Sequence, residues 1–78
     1  MEFAQVIHIT FFARYRELIG KTELDIEFTG TVRDLLDRTE LTPIPPNALI
    51  AINHKIASGS DIIESGSRVS FFPPVSGG

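Results

Sequence analysis

A single stretch of this 78-residue chain carries a sustained helical period. Val32, Leu35, Leu36 and Thr39 fall at i, i+3, i+4 and i+7, one stripe of an amphipathic helix of about ten residues. Thr31, followed three residues later by Asp34, resembles a capping box at its start. The segments on either side mostly alternate with a period of two, the pattern of half-buried strands. One helix can cover only one face of a sheet. The chain is therefore expected to be α+β, with a small mixed β-sheet, one main helix packed on one face and the other face open. Residues 1–78 are expected to form one domain. At this length only ~60–65% of the unfolded surface is buried on folding, so the core is small.

Val6–Phe12 alternates with Ile7, Ile9 and Phe11 inward and His8, Thr10 and Phe12 outward. Tyr15, Leu18 and Ile19 then sit at helical spacing, predicting a single helical turn that Gly20 ends as C-cap. Lys21–Phe28 is a second strand, with Leu24, Ile26 and Phe28 inward and Glu23, Asp25 and Glu27 outward. Its natural partner is the first strand, as a long-looped hairpin. After the helix, Pro43, Pro45 and Pro46 predict a stiff extended connection over Leu41–Asn47, without helix. A proline-rich ligand is the other use of such a run; a rigid crossover suits so short a chain better. Ala48–Asn53 is apolar on both faces, as a central strand would be. Asn53-His54 is a turn, Lys55–Ala57 a short strand, and Ser58–Ser67 a loop anchored by Ile62 and Ile63 and turned at Gly66. Arg68–Phe72 is the last strand, with Val69 and Phe71 inward. The expected core is Ile7, Ile9, Leu24, Ile26, Leu35, Leu36, Ile52, Val69 and Phe71.

Composition removes most kinds of side-chain chemistry. There is no cysteine, hence no disulfide, no thiolate metal site and no persulfide. A net charge of −3 with seven scattered Lys and Arg residues gives no basic stripe for nucleic acid. No run approaches the roughly 18 apolar residues of a membrane span, and Met1–Gln5 is no signal peptide, so a cytoplasmic protein without a membrane partner is expected. His8 has only the distant His54 for company, and a metal site needs three or four converging ligands, so none is expected. Asp34 and Asp37, like Glu23, Asp25 and Glu27, read as solvated faces.

What remains is the chain end, Phe71-Phe72-Pro73-Pro74-Val75-Ser76-Gly77-Gly78. The two prolines cannot donate to a sheet ladder, so they stop the strand and hold the next residues extended. Fully extended, Pro73 to Gly78 spans at most ~20 Å, enough to enter a pocket on another protein. Gly77 and Gly78 lack side chains, so this backbone could pass where a Cβ would clash. The functional group at the tip is the α-carboxylate of Gly78. A frayed terminus is the plainer reading of any chain end. Against it stand the Pro-Pro spacer, the apolar strand before it and the small tip. The open face meanwhile carries Phe12, Phe72 and Ile56, large apolar side chains that suggest a contact surface.

The final octapeptide resembles the signature of the molybdopterin synthase small subunits, sulfur carriers of the MoaD/ThiS family with the ubiquitin-like β-grasp fold. Phe11–Gly20 and Leu49–Asn53 resemble the same family's first strand with its following turn and its third strand. The similarity runs from about Ile7 to Gly78. It implies that an ubiquitin-activating-like adenylating enzyme uses ATP on the Gly78 carboxylate, and that a sulfur donor protein converts the adenylate to a thiocarboxylate. It further implies that Pro73, Pro74, Val75, Ser76 and Gly77 enter the large subunit of molybdopterin synthase, in a heterotetramer; the open face, through Phe12, Ile56 and Phe72, is expected to make the contact. Sulfur then passes to a pterin precursor, building the dithiolene that later holds molybdenum or tungsten. The chain would bind no cofactor and supply no catalytic side chain. Two readings stay open beside this one: a carrier for another pathway, such as thiamine synthesis or tRNA thiolation, and a protein modifier whose Gly78 is joined to a lysine. A passive interaction module is a third. Gly66-Ser67-Arg68 departs from the family, whose members more often have two acidic residues after the glycine.

Overall fold

A computed structural model describes residues 5–74. The expectations for Val75, Ser76, Gly77 and Gly78 lie outside the described residues. In chain order the elements are β1 (Val6–Phe11), α1 (Arg14–Ile19), β2 (Glu23–Glu27), β3 (Gly30–Thr31), α2 (Val32–Leu36), a 3-10 helix (Thr39–Leu41), β4 (Leu49–Ile52), β5 (Lys55–Ile56), β6 (Ile62–Ile63) and β7 (Arg68–Phe72). The main sheet has the order β2-β1-β7-β4-β5, and β3 pairs with β6 in a two-stranded sheet. β1 and β7 are parallel; every other pairing is antiparallel. This is the ubiquitin-like β-grasp that the resemblance implies, and the mixed sheet is the one the strand patterns predict.

The inward sets of β1 and β7 fall as their alternation requires. Ile7, Ile9, Phe11, Val69 and Phe71 are fully buried, and Phe11 and Phe71 stack at 5.7 Å between ring centroids. The register pairs Ile7 with Ile26 and Ile9 with Leu24, so β1 and β2 form the expected hairpin around α1. Val32 and Leu35 bring α2 into the same core, while Leu24, Leu36 and Ile52 are partly buried against it.

Three local expectations are corrected. The first is the length of α2, which ends at Leu36 with Asp37 as C-cap. Its capping box is present in full: the Thr31 hydroxyl accepts from the Asp34 N–H at 3.2 Å, and the Asp34 carboxylate accepts from the Thr31 N–H at 3.1 Å. Arg38 then takes an extended conformation, and its guanidinium donates to the Glu27 carbonyl at 3.0 Å. Asp37, Arg38 and Thr39 gain less from continuing the helix than Arg38 gains from this link to β2. Thr39 is accordingly exposed.

The second correction is the proline-rich connection, which is a string of tight turns. The Thr42 N–H bonds the Thr39 carbonyl, Ile44 bonds Leu41 and Ala48 bonds Pro45. These turns bury Leu41 and Ile44, two core residues absent from the expected set. Third, the apolar pairs are split. Tyr15 is fully buried and Ile19 packs on the core, but Leu18 lies roughly 60° and 100° round the six-residue helix from them and is about half exposed. Ile63 is buried, whereas Ile62 points outward from β6.

Two turns are as expected. Gly20 caps α1 in the left-handed region at φ 84°, donating to the Arg16 carbonyl at 2.8 Å. Asn53 and His54 have φ 50° and 74°, the two positive values of a type I′ turn, which matches the twist of the hairpin β4–β5.

Candidate functional site

The side of the sheet away from α2 can be read as rows across the strands, because side chains at paired positions share a face. The first row is Asp25, His8 and Arg68; the second is Glu23, Thr10, Ser70, Ala51 and Ile56. At the end of the sheet, Phe72 pairs with Leu49, and Phe12 lies one residue beyond the Phe11–Phe71 pair. The face therefore changes character along the strands, from charged at one end to apolar at the end where β7 finishes.

At the charged end the Asp25 carboxylate contacts His8 Nδ1, with both side chains more than half exposed. Asn53 ties the β4–β5 turn to β7, its side-chain oxygen accepting from the Arg68 N–H at 2.9 Å and its own N–H donating to the Arg68 carbonyl at 2.8 Å. At the apolar end Phe12 and Phe72 stack, with centroids 4.5 Å apart and planes 11° from parallel. Phe12 is 39% exposed, Leu49 38% and Ile56 71%, while Phe72 is half-buried.

Phe12, Ile56 and Phe72 are thus on one face, the first and last with their rings in contact and Ile56 one row away on the edge strand β5. Leu49 completes the apolar corner, a member that sequence reasoning misses. Its signal is the run Leu49–Ile52, apolar on both faces, which reads equally as a doubly covered strand. Pro73 and Pro74 follow β7 directly and are half-buried.

The fold sharpens the acidity of two carboxyls, neither of them in these rows. Asp34 is held below the ordinary aspartate range by the Thr31 N–H first and the Thr31 hydroxyl second. Glu40 is lowered mainly by its own backbone N–H, with Arg38 adding to it. Both effects arise from local hydrogen bonds. Among the described residues no group of three or more His, Asp or Glu side chains is placed to hold a metal ion, and no helix is long and apolar enough to cross a membrane. The outer face thus joins a charged end, at His8 and Asp25, to an apolar corner beside the end of β7.

The family model described as "ThiS family" matches residues 9–78. The molybdopterin synthase sulfur carrier subunit of Haemophilus influenzae is 33% identical, the match covering 94% of this chain and 100% of the relative. The protein of the same name from Escherichia coli is 37% identical, with the same coverage. Among solved structures, one from Pyrococcus furiosus described as molybdopterin converting factor, subunit 1, superposes with a TM-score of 0.79 at 27% identity, covering 90% of this chain and 98% of that one.

Proposed function

The chain belongs to the ThiS family, and from that premise we propose that it is the sulfur carrier subunit of a molybdopterin synthase, acting in the cytoplasm. The observation that supports this most is the match at 33–37% identity to two subunits so named, over their whole length. The layout of the sheet agrees with it. The last strand ends beside an apolar corner and hands the chain to two prolines, so docking and delivery of the tail involve the same partner.

The chemistry follows from the functional group at the tip. A carboxylate is a poor electrophile. An adenylating enzyme lets a Gly78 oxygen attack the α-phosphate of ATP, releasing pyrophosphate and leaving an acyl-adenylate. The outer sulfur of a donor-protein persulfide attacks the acyl carbon and AMP departs, leaving an acyl disulfide. A second thiol then attacks the donor's sulfur and breaks the S–S bond, so the donor leaves as a disulfide with that thiol and the thiocarboxylate remains on Gly78. Its sulfur is a far better nucleophile than the oxygen it replaces. Pro73, Pro74, Val75, Ser76 and Gly77 carry it into the large subunit, which binds the pterin precursor. Phe12, Ile56 and Phe72, with Leu49, form the docking corner. The chain itself binds no cofactor and contributes no acid, base or side-chain nucleophile.

The test is conversion of pterin precursor by large subunit plus protein chemically thiocarboxylated at Gly78. Wild type and an N-terminally tagged form should turn over. A form lacking Gly78 or carrying a C-terminal tag should not, because the reacting atom is then roughly 3.5 Å short or blocked. Full turnover by the Gly78-deleted form would sink the carrier mechanism. Intact mass of protein from its own cells should show one oxygen replaced by sulfur.

A further inference from the structure

We propose that Phe12 is a positioning residue: through its stack on Phe72 it sets the direction in which the chain leaves the sheet toward Gly78. This rests on the sulfur-carrier reading and adds to it a role that docking contact alone does not require. Phe72 is the last residue of β7, and the two neighbouring strands hold it differently. On the β4 side its backbone is in register with Leu49. On the β1 side the register stops one residue earlier, at Phe11 and Phe71. The Phe12 N–H is used by the Phe71 carbonyl at 3.1 Å. Pro73 and Pro74 cannot extend the ladder, since neither has an N–H. What braces Phe72 on that side is the ring of Phe12, at 4.5 Å and 11° from parallel.

Phe12 is itself firmly seated. Its carbonyl accepts from the Tyr15 N–H at 3.1 Å, fixing it to the first turn of α1. Ala13 immediately after it has φ 55°, a region that non-glycine residues enter only when their surroundings impose it. The chain thus bends sharply right behind Phe12, between a hydrogen bond to β7 and one to α1. A ring held this way is a fixed stop for the Phe72 ring. The lever beyond it is stiff: Pro73-Pro74 in extended form is ~6 Å long, so a swing of about 15° at Phe72 moves its far end by about 1.6 Å. Misplacement of a reacting group by ~1 Å can lower a rate about a hundredfold.

Phe12→Leu keeps an apolar side chain for docking but cannot stack, whereas Phe12→Tyr keeps the ring. Each is measured for affinity to the large subunit by calorimetry, and for single-turnover sulfur transfer, with Gly78 thiocarboxylated, at saturating large subunit. Whatever affinity Phe12→Leu loses at the docking corner, we expect it to transfer sulfur at least ~10-fold more slowly than wild type once the large subunit is saturating, and Phe12→Tyr to restore that rate. A wild-type transfer rate for Phe12→Leu at saturation overturns the proposal, as does an effect confined to affinity. Phe12 is outside the buried core, and unchanged thermal midpoints exclude unfolding as the cause. A second arm uses the free protein: N–H residual dipolar couplings of Phe72 should change in Phe12→Leu and not in Phe12→Tyr. Unchanged couplings in Phe12→Leu overturn the proposal whatever the chain carries. Absence of sulfur transfer from wild type would instead count against the carrier reading, and the couplings would still decide the role of Phe12.

Discussion

Gly30→Ala is the substitution for which the structure gives the most detailed expectation. Gly30 has φ 145°, in β3 just before the cap of α2. A Cβ there would lie 2.9 Å from Asp34 Oδ2, 3.2 Å from Phe28 Cζ and 3.3 Å from Asp34 Cβ. The backbone conformation alone costs an alanine ~1–3 kcal/mol. Pressing a methyl against the buried Phe28 ring adds ~1–3 kcal/mol, because a packed core yields only by moving side chains off their rotamers. Displacing the Asp34 carboxylate also opens the capping box. A total loss of roughly 3 kcal/mol or more is expected, a large fraction of the stability of a small domain. Gly20→Ala is the control: its φ of 84° imposes strain, but nothing lies within 4 Å of the new methyl, so it should cost only ~1–2 kcal/mol. Urea unfolding of both variants measures the difference, and the penalty of Gly30→Ala should shrink in an Asp34→Ala background, where one crowded group is gone. If Gly30→Ala costs no more than Gly20→Ala, the close approach of β3 to α2 and Phe28 is wrong.

Leu41→Ala should destabilise by ~2–5 kcal/mol despite its place in a proline-rich connection, since Leu41 is fully buried; a loss under about 1 kcal/mol in urea unfolding would return that segment to the surface. Tyr15→Phe should leave stability unchanged or raise it by about 1 kcal/mol, because the buried Tyr15 hydroxyl has no hydrogen-bond partner among the described residues; a clear loss in thermal unfolding would reveal a partner. The depressed pKa of Asp34 means its contribution is present above the ordinary aspartate range and is lost as pH falls through the lower folded value; Asp34→Asn should flatten that part of the stability-against-pH curve, and an unchanged curve would contradict the cap. Ile56→Asp should weaken binding to the large subunit while leaving the thermal midpoint near wild type, since Ile56 is 71% exposed; undiminished binding in calorimetry would remove β5 from the docking face.

Where one residue decides its own surroundings, the sequence is a good guide. The alternation of Ile7, Ile9 and Phe11, the Thr31 and Asp34 pair and Gly20 each specify a local geometry, and each is found. The failures lie where a distant group competes. Nothing in Val32–Thr39 announces that Arg38 leaves the helix to bond the Glu27 carbonyl. The prolines after Leu41 suggest extension because their own φ is fixed, yet the residues between them are free to close turns that bury Leu41 and Ile44. Leu49 is hidden by pattern ambiguity, since a strand apolar on both sides can be doubly covered or half exposed. The members of the exposed apolar face are readable as individual residues, Phe12, Ile56 and Phe72. Their grouping depends on the pairing of β7 with both β1 and β4, which no local pattern encodes.

The position of β7 also has a consequence for how the molecule comes into being. The strand made last among the described elements is the middle of the main sheet, with β1 and β4 on its two sides. Until Arg68–Phe72 arrives, the hairpin of β1 and β2 and the hairpin of β4 and β5 have no backbone link to one another in that sheet. Such distant pairing makes closure slow compared with helix formation. During synthesis at ~5–20 residues per second, the two halves must wait for the final strand to emerge before they can join. The same strand that locks them together carries Phe72, so the aromatic corner comes into existence only as the sheet closes. A partner that grips this corner therefore selects chains that have finished folding, and a half-made copy has nothing to offer it.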